Sequence, residues 1–592
     1  MTKTVRIGGG ASMWGDTQTA PGQLVRKGEL DYLLLEYLAE VTMSILTAQR
    51  MRDASMGWAR DFVPVVTPLL PEIAKQGIKI VTNAGGVNPD GCRDALQKAC
   101  EEAGVELKIA VVTGDNLMPR RDELGEDVLK PLDPEQPRPD NFLSMNAYLG
   151  ALPIKQAFDD GADVVITGRC VDSALALGPL MHEFGWSASD LDLLSAGSLA
   201  GHLLECGAQS TGGNFTDWRD VPEYENMGFP VAECAADGSF LLTKPPETGG
   251  LVTVGTVGEQ MLYEIGNPAA YVLPDVVCDW REVTLEQVDK DVVRVAGARG
   301  TAPTDSYKVS ATYPDGFRLT ALFMVGGIEA VAKAERVANA LLEKNRRLLK
   351  DKGFADYRQA DVEAIGSEAM YGPHSRSRDT REVMVKIAVT HEDEKALKLF
   401  GTEVAQAATG MVPGITGYFA GRPKPSRIVR LYSALVRKTE VPVSVDSGDG
   451  PREIEIPAGE GAPPAPVSAA PGEIAEVPAD AVEVPLIRLA IARSGDKGDD
   501  SNIGVIARKP EYLPYIRAAL TEEAVADYFS HLLKGQVYRF ELPGINALNF
   551  LLTRILGGGG VASLRADPQG KCYGQMLLDF PIAVPREIAE KL

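Results

Sequence analysis

Residues 164–172 read Val-Val-Ile-Thr-Gly-Arg-Cys-Val-Asp, a short β-rich run that leads into a polar turn containing glycine. Similar runs followed by glycine-containing polar turns occur at residues 4–7, 78–81 and 107–112. Helical patterns separate the runs, which is the order expected of a parallel sheet covered by helices. We therefore predict an α/β fold with a mostly parallel sheet. Because the carboxyl ends of parallel strands share one edge, where ligands bind, the four turns are expected to form one site.

The length of the chain predicts more than one domain, since it has 592 residues and a single core stops growing near roughly 250–300 residues. Between residues 441 and 484 prolines are interspersed with Ala, Gly and Glu. This composition predicts an extended linker, with a surface loop inside one domain as the alternative. The linker separates a core domain, residues 1–440, from a smaller C-terminal α/β domain, residues 485–592. A division of the core domain into two lobes, 1–251 and 252–440, is left open.

The formal net charge is −22, from 60 basic and 82 acidic side chains. This charge repels phosphate backbones and anionic lipids, so neither nucleic acid nor a membrane is expected as a partner. Local clusters of Arg, Lys or backbone N–H groups still bind the phosphates of a small ligand. The seven cysteines are scattered without a C-x-x-C pair, which argues against disulfides and a structural zinc site. No stretch reaches the roughly 18 apolar residues that span a bilayer, and we expect a cytoplasmic protein.

Three glycines, Gly8, Gly9 and Gly10, follow the first predicted strand. A turn here would let backbone N–H groups approach an anion, with a helix dipole behind them. The alternative is a tight strand-to-helix turn without a ligand. The stretch matches neither G-x-G-x-x-G nor a P-loop, because Ser12 and Met13 follow Ala11 and no Gly-Lys-Ser/Thr comes next. Nicotinamide and ATP are therefore not indicated.

One helical stretch carries residues suited to acid/base chemistry. Spacings of four and three place Ser198, His202 and Glu205 on one face. Such a face can transfer a proton at a carbon or oxygen of a ligand. The other interpretations are a metal site completed by strand-end carboxylates, and a histidine held in a structural network. Beyond the helix, Gly213 and Asn214 offer an N–H group and an amide to an oxyanion, or form only a turn.

Charged and polar side chains also follow two of the predicted strands. Arg169 can grip a carboxylate or phosphate, with Asp172 as its partner or as the cap of a helix over residues 173–184. Asp115 and Asn116 can act as base and oxygen ligand, or be explained as turn-forming residues. The candidate catalytic residues are Glu205, His202, Asp115, Arg169 and Asp172.

Further positions are candidates for substrate binding. Residues 31–40 are compatible with a buried strand running into a helix or with a helix throughout, and Glu40 reaches the sheet edge only in the first case. In the C-terminal domain, the glycine tract at residues 557–560 with Arg565 and Lys571 can accept a phosphate, in the same chain or across a dimer. The candidate binding residues are Gly8, Gly9, Gly10, Glu40, Asn83, Gly85, Asn116, Gly213, Asn214, Arg565 and Lys571.

The set and order of these motifs resemble those of the acyclic terpene utilisation protein family, AtuA. The core-domain motifs are Arg6-Ile7-Gly8-Gly9-Gly10-Ala11, Asp31-Tyr32-Leu33, Asn83-Ala84-Gly85-Gly86, Thr167-Gly168-Arg169, residues 201–207, and Thr211-Gly212-Gly213-Asn214-Phe215. Residues 494–502 and Ser563-Leu564-Arg565-Ala566-Asp567 resemble the AtuA-like C-terminal domain. The resemblance covers nearly the whole chain except the linker.

This resemblance implies a role in the catabolism of acyclic terpenes such as citronellol and geraniol, which proceeds through branched acyl-CoA thioesters. We therefore expect a lyase, either a hydratase or a carbon–carbon lyase, acting on a 3-hydroxy or unsaturated branched acyl-CoA. The alternative is a non-catalytic acyl-CoA-binding or scaffolding subunit that works with a carboxylase or hydratase. No cofactor is expected, a divalent metal is left open, and we expect a homo-oligomer.

Overall fold

The computed structural model describes residues 3–418, 421–560 and 562–592, without the side chains of residues 40 and 41. In chain order its strands are β1 (Thr4–Ser12), β2 (Tyr32–Glu36), β3 (Lys79–Thr82), β4 (Ile109–Thr113), β5 (Lys130–Pro131), β6 (Ser144–Ala147), β7 (Val164–Thr167), β8 (Val231–Ala235), β9 (Phe240–Thr243), β10 (Tyr271–Val272), β11 (Val277–Asp279), β12 (Thr284–Asp289), β13 (Val292–Ala296), β14 (Arg299–Thr301), β15 (Ser306–Gly326), β16 (Gln359–Ile365), β17 (Glu382–His391), β18 (Ile415–Thr416), β19 (Ser426–Arg437), β20 (Ser444–Asp446), β21 (Arg452–Glu453), β22 (Val482–Pro485), β23 (Ala490–Lys497), β24 (Asp500–Ala507), β25 (Val537–Leu542), β26 (Ala547–Leu552) and β27 (Pro581–Val584).

The helices of the same residues are α1 (Ala20–Lys27), α2 (Glu40–Arg52), α3 (Phe62–Val66), α4 (Leu70–Gln76), α5 (Pro89–Ala103), α6 (Leu152–Asp159), α7 (Ala174–Phe184), α8 (Leu191–Glu205), α9 (Val254–Leu262), α10 (Ala330–Asp351), α11 (Glu394–Glu403), α12 (Ala407–Gly410), α13 (Leu513–Ala519), α14 (Glu522–Tyr528), α15 (Tyr573–Leu577) and α16 (Arg586–Ala589).

The first sheet contains the parallel strands that the sequence predicts. Within the described residues its order is β12-β13-β9-β8-β1-β2-β3-β7-β4-β20-β21. The five central strands, β1, β2, β3, β7 and β4, are parallel to one another. β2 and β7 are buried along their whole length, which explains why they read as continuous apolar runs. The predicted α/β fold with a mostly parallel sheet is confirmed in this part of the chain, and antiparallel strands extend the sheet on both sides.

Residues 31–40 follow the first of the two interpretations offered above. The buried strand β2 ends at Glu36, and the helix α2 begins at Glu40. The side chain of Glu40 lies outside the described residues. The carboxylate that the structure places at the end of β2 is that of Glu36, which is 3 % exposed.

The predicted turn at Gly8, Gly9 and Gly10 is wrong, because all three glycines lie inside β1. Gly8 pairs with Leu33 of β2 on one side and with a residue of β8 on the other, so this backbone belongs to the sheet. A Cβ on Gly9 would overlap the backbone carbonyl of Leu204 in α8. The glycine-rich stretch therefore allows α8 to lie directly on the sheet, and it does not form an anion-binding turn.

The second sheet is antiparallel and has the order β16-β17-β15-β19-β5 among the described residues, with β18 and β6 also paired to β15. Its centre is β15, which pairs with β19 mostly through its first half and with β17 through its second half. In the sequence, residues 317–325 form a strand-like run of mostly apolar residues, which is only the second half of β15. In the structure β15 begins at Ser306, because an irregularity in its register with β19 between Pro314 and Phe317 lets the strand continue.

Part of the predicted linker, residues 441–484, belongs to the first sheet. β20 pairs with both β4 and β21, so the core domain extends beyond residue 440. After β21 the chain runs without a helix or a strand to β22. Its backbone is held to both domains, since Glu460 N donates to Pro303 O over 2.8 Å and Ala469 N donates to Arg539 O over 2.9 Å.

The C-terminal domain contains an antiparallel sheet in the order β23-β24-β26-β25 within the described part of the chain. Residues 576–584 form a mostly apolar run, of which only Pro581–Val584 is a strand. Met576 and Leu577 lie in α15, where both are buried in the core of this domain. A mostly apolar run of this length is compatible with a helix or with a strand. Here the packing of α15 against β23 favours the helix.

Candidate functional site

A cavity of about 230 Å³ lies at the carboxyl edge of the first sheet, where the core and C-terminal domains meet. Its walls come from the turn after β7, the end of α8, the segment around β10, the start of β15 and the end of β23. The titratable side chains in its wall include Asp172, His202, Glu205, Glu264, Lys308 and Lys497. The apolar residues of the wall include Val171, Val272, Leu273 and Leu435.

Two close helix contacts bring Glu205 to this edge. A Cβ on Gly201 would lie 2.5 Å from the carbonyl oxygen of Ser173, and the missing Cβ on Gly9 admits Leu204. The small residues allow α8 to lie against both the sheet and the turn after β7. Its last residue, Glu205, is therefore placed beside Asp172 at the cavity wall.

Glu205 forms an acid/base pair with His202. Glu205 Oε1 lies 3.1 Å from His202 Nδ1, and His202 Nε2 lies 3.0 Å from the carbonyl oxygen of Gln260. Because a carbonyl only accepts, Nε2 carries a hydrogen and donates it to Gln260. His202 Nδ1 and Glu205 Oε1 are thus within hydrogen-bonding distance, and a proton can pass between them. The arrangement can donate or accept one proton at the cavity.

The electrostatic environment favours the protonated form of Glu205. Burial is the largest effect and raises the pKa of this carboxyl group, and nearby Asp172 and Glu264 raise it further, whereas His202 lowers it. The net direction is upward, as for a carboxyl group prepared to act as a general acid. Ser198, which the helical spacing groups with this pair, donates instead to Leu194 O of its own helix over 2.8 Å.

Arg169 holds Asp172 at the cavity rather than binding there itself. Arg169 Nη1 donates to Asp172 Oδ1 over 2.7 Å and to Leu38 O over 2.9 Å. The guanidinium group is 4 % exposed and does not form part of the cavity wall among the described residues. It stacks on Tyr148, with its central carbon 4.3 Å from the ring centroid. Arg169 is thus a positioning residue for Asp172.

Asp115 lies one layer further from the cavity. It accepts hydrogen bonds from Arg169 N over 2.9 Å and from Asn146 Nδ2 over 2.8 Å. Burial raises the pKa of Asp115 to about 6, and these hydrogen bonds lower it only in part. Asn116 accepts a hydrogen bond from Met118 N, which is the turn-forming role offered above. Asp115 supports the turn that carries Arg169, whereas Asn116 supports its own turn, and neither residue lines the cavity in the described structure.

Glu36 is a buried acidic residue of this network that the sequence analysis missed. Asn83 Nδ2 donates to it, and Asn83 Oδ1 accepts from Tyr37 N over 2.8 Å. Glu36 Oε1 lies 3.8 Å from Arg169 Nη1. Burial is the main reason that the pKa of Glu36 is raised well above its ordinary value, although Arg169 opposes the shift. The available signal was an acidic residue that closes the apolar run Leu33-Leu34-Leu35.

Several predicted binding residues lie away from the cavity. Gly213 N donates to Ala208 O over 2.8 Å, and Asn214 is an exposed residue with positive φ in the same turn. Gly85 allows a close contact, since a Cβ there would lie 2.5 Å from Thr167 O. Arg565 donates to Leu532 O over 3.2 Å inside the C-terminal domain. These positions are explained by local packing.

Lys571 is different, because it binds a residue of the cavity wall. Its Nζ lies 3.3 Å from Glu264 Oε1 and 3.1 Å from Asp496 Oδ1. The wall residues that sequence reasoning missed are Glu264, Tyr271, Lys308 and Lys497. Lys497 lies in the 494–502 motif, but nothing in that motif assigns it to this site, and Glu264, Tyr271 and Lys308 lie outside the quoted motifs.

A second cavity of about 240 Å³ lies beside the first. Pro274 lines both cavities. Thr304 and Ser306 line the first cavity, whereas their chain neighbours Pro303 and Tyr307 line the second. Its wall is largely apolar and includes Leu152, Met181, Leu194 and Ile456. Among the described residues, no group of three or more His, Cys, Asp or Glu side chains is arranged to hold a metal ion.

The sheet edge, the polar helix and the C-terminal domain define a two-domain α/β protein with a cavity where its domains meet. The chain belongs to the AtuA family of acyclic terpene utilisation proteins. The model of this family matches residues 5–447. The AtuA ferredoxin-like domain matches residues 484–583. A comparison with curated proteins found no match. None of the helices in the described part of the chain is long and apolar enough to cross a membrane.

Proposed function

We propose that this protein is a lyase of acyclic terpene catabolism, either a hydratase or a carbon–carbon lyase, that acts on a 3-hydroxy or unsaturated branched acyl-CoA. The observation that carries the proposal is the 3.1 Å contact between Glu205 Oε1 and His202 Nδ1 at the wall of a cavity. The family description, acyclic terpene utilisation, supports the metabolic context.

Both reactions need one group that moves a proton and one that stabilises an enolate. In carbon–carbon cleavage, the base removes the proton of the 3-hydroxyl group, the C2–C3 bond breaks, and a carbonyl product leaves. The bonding electrons form the thioester enolate, which is then protonated at C2. In hydration, the base takes a proton from water as its oxygen adds to C3, and the resulting enolate is protonated at C2. Glu205 is the proposed acid/base in either case: its carboxylate form accepts the first proton from oxygen, and the acid so formed donates a proton to C2.

The remaining wall residues have roles that suit this chemistry. His202 Nδ1 lies 3.1 Å from Glu205 Oε1 and orients the carboxyl group of Glu205. Lys308 and Lys497 bring positive charge to the cavity, where a developing enolate is stabilised. Asp172, held by Arg169, supplies a second carboxylate that can orient a hydroxyl group or a water molecule.

The volumes favour binding of the acyl end of the ligand. The first cavity, at about 230 Å³, is smaller than the roughly 300–1,000 Å³ typical of a drug-sized ligand. It suits a thioester and its reacting carbons, with the nucleotide portion outside. The neighbouring, largely apolar cavity offers a branched hydrocarbon chain a site with less contact with water.

The second candidate function is a non-catalytic acyl-CoA-binding subunit that works with a carboxylase or hydratase. It is favoured by one observation: His202 is 2 % exposed and both of its ring nitrogens have protein partners. A histidine held in this way also occurs in purely structural networks.

The experiment compares native protein with Glu205→Gln and with Glu102→Gln, an exposed control on α5. Each is incubated with branched enoyl- and 3-hydroxyacyl-CoA esters in D₂O, and mass spectrometry follows turnover and deuterium at C2. Native protein and the Glu102 variant should turn over one ester, whereas the Glu205 variant should bind it without turnover. Binding without turnover by native protein would favour the subunit, and full activity of Glu205→Gln would remove Glu205 from its role.

A further inference from the structure

Tyr271 presents its hydroxyl group to the first cavity. The residue lies in β10, in the same wall as His202 and Glu205. Among the described residues its hydroxyl group has no hydrogen-bond partner, and protein atoms do not enclose the hydroxyl oxygen completely. By contrast, the hydroxyl group of Tyr528, which lies outside the cavity wall, donates to Met576 O over 2.9 Å. Because a tyrosine hydroxyl group away from bulk water normally finds a partner, that of Tyr271 is available to a molecule in the cavity.

The ring of Tyr271 is held in place by two other aromatic rings. Its centroid lies 5.0 Å from that of Trp280 and 6.2 Å from that of His202. Trp280 is itself 1 % exposed, and its Nε1 donates to Ser195 Oγ over 3.2 Å. The backbone is fixed as well, because Tyr271 pairs with Cys278 of β11. The hydroxyl group is therefore a positioned donor beside the imidazole of His202, and little reorganisation is needed when a ligand binds.

The environment of Tyr271 keeps the hydrogen on its hydroxyl group. Removal from bulk water is the largest effect and raises the pKa of this group. Lys497 lowers the pKa, whereas Glu205 and Asp172 raise it, and the net direction is upward. Loss of the proton is therefore unfavourable at neutral pH, and the group acts as a neutral hydrogen-bond donor.

We propose that the Tyr271 hydroxyl group donates a hydrogen bond to the carbonyl oxygen of the ligand, the atom on which negative charge develops when Glu205 acts at the neighbouring carbons. The inference rests on the proposed function for the identity of this ligand, a thioester. In both the hydration and the cleavage reaction the electron pair that forms the enolate is carried largely by this oxygen. The Tyr271 hydroxyl group stabilises that charge through its hydrogen bond and keeps its own proton.

A carbonyl oxygen is a better partner for Tyr271 than the 3-hydroxyl group of the ligand or a water molecule. A carbonyl oxygen only accepts hydrogen bonds and therefore needs a donor in the wall. A hydroxyl group or a water molecule that gives up a proton needs an acceptor, which the carboxyl groups of Glu205 and Asp172 provide. The wall thus offers different groups to the thioester carbonyl and to the oxygen at C3.

The test removes the hydroxyl group alone. Tyr271→Phe keeps the ring that packs on Trp280, and Tyr224→Phe is the control, because Tyr224 is 49 % exposed and lies outside the cavity wall. Both full-length variants should unfold at the Tm of native protein. Each protein is mixed with 3-methylbutanoyl-CoA labelled with ¹³C at the carbonyl, an ester that is neither hydrated nor cleaved, and infrared difference spectra record the carbonyl stretch. Native protein and the Tyr224 variant should show this band at lower frequency than Tyr271→Phe, because a donated hydrogen bond weakens the C=O bond.

Turnover provides a second measurement. On an ester that native protein converts, Tyr271→Phe should lower kcat about 100-fold or more, the cost of one lost oxyanion donor, and should change KM much less. The same band position in native protein and Tyr271→Phe, or a kcat that stays at the native value, would overturn the inference. If the band depends on Tyr271 but native protein converts no ester, the carbonyl contact stands and the proposed lyase function fails. If native protein does not bind the labelled ester, both fail.

Discussion

Arg169 Nη1 lies 2.7 Å from Asp172 Oδ1, and this contact joins the turn after β7 to the wall of the cavity. The same nitrogen lies 3.8 Å from Glu36 Oε1, so one buried guanidinium group serves two carboxylates from different strand ends. A buried charge is tolerated only when it is paired and hydrogen-bonded. Removing Arg169 would therefore affect both the stability of the sheet edge and the position of Asp172.

Replacing Arg169 should destabilise the fold strongly. Arg169→Met leaves Asp172 and Leu38 O without their donor in this network, and we expect a loss of about 3–5 kcal/mol in the free energy of unfolding, measured by urea denaturation. The control is Arg452→Met, which removes an exposed ion pair with Asp160 and should change stability by less than about 1 kcal/mol. A similar small effect of both substitutions would show that the buried network contributes little.

Gly9 should not tolerate a methyl group. In Gly9→Ala the new Cβ would overlap the backbone carbonyl of Leu204, which cannot rotate away as a side chain does. We expect a loss of about 1–3 kcal/mol, toward the upper end, in urea unfolding. Gly125→Ala is the control, because a Cβ there meets nothing within 4 Å. Equal stability of the two variants would contradict the packing explanation for the glycine-rich strand.

Stability should depend on pH through Glu259. Burial raises the pKa of this carboxyl group from 4.5 to about 8, more than the hydrogen bonds from Thr216 lower it. As pH rises between these values, the unfolded chain releases a proton that the folded chain retains, so this group's contribution to stability decreases. The contribution of Glu259 to the free energy of unfolding is fully present below pH 4.5 and is lost as pH rises through about 8.

The measurement is the free energy of unfolding of native protein and Glu259→Gln at several pH values from 5 to 9. Glutamine does not titrate, so the stability of the variant relative to native protein should increase with pH across this range. A difference between the two proteins that stays constant with pH would show that Glu259 has an ordinary pKa in the fold.

The contact between the domains should depend on Asn549. Asn549→Ala removes the donor to Ile265 O and Gly266 O, each at 2.7 Å. We expect a loss of about 1–3 kcal/mol and faster hydrogen exchange in a peptide covering residues 262–266. Asn226→Ala, an exposed control, should change neither quantity. Unchanged exchange in the Asn549 variant would mean that other contacts hold this segment.

Much of the first sheet is predictable because its strands are local apolar runs. Val164–Thr167 and Lys79–Thr82 fall close to where the patterns place them. The i to i+3 spacing of His202 and Glu205 on a helix is also a local property, and the structure brings these side chains together. The glycines of β1 mislead because a turn and a close helix contact both select glycine, and the sequence does not distinguish them.

The position of the site partners depends on longer-range structure. Asp115 and Arg169 both follow parallel strands, but only the packed turn shows that Asp115 supports the backbone of Arg169 and that Arg169 holds Asp172. Lys308 and Lys497 lie in strands of two other sheets, and nothing in their neighbouring residues indicates a cavity.

The sequence by itself determined the α/β class, the parallel strands, the acidic charge and the helix face with His202 and Glu205. These follow from hydrophobic periodicity and helical spacing, which act between residues close in the chain. Only the tertiary structure decided which strand-end residues support the site and that the C-terminal domain closes it with Lys497. The physical reason is that burial and charge pairing depend on groups that are distant in sequence, such as Asn502 and Leu262, and come together only when the domains pack.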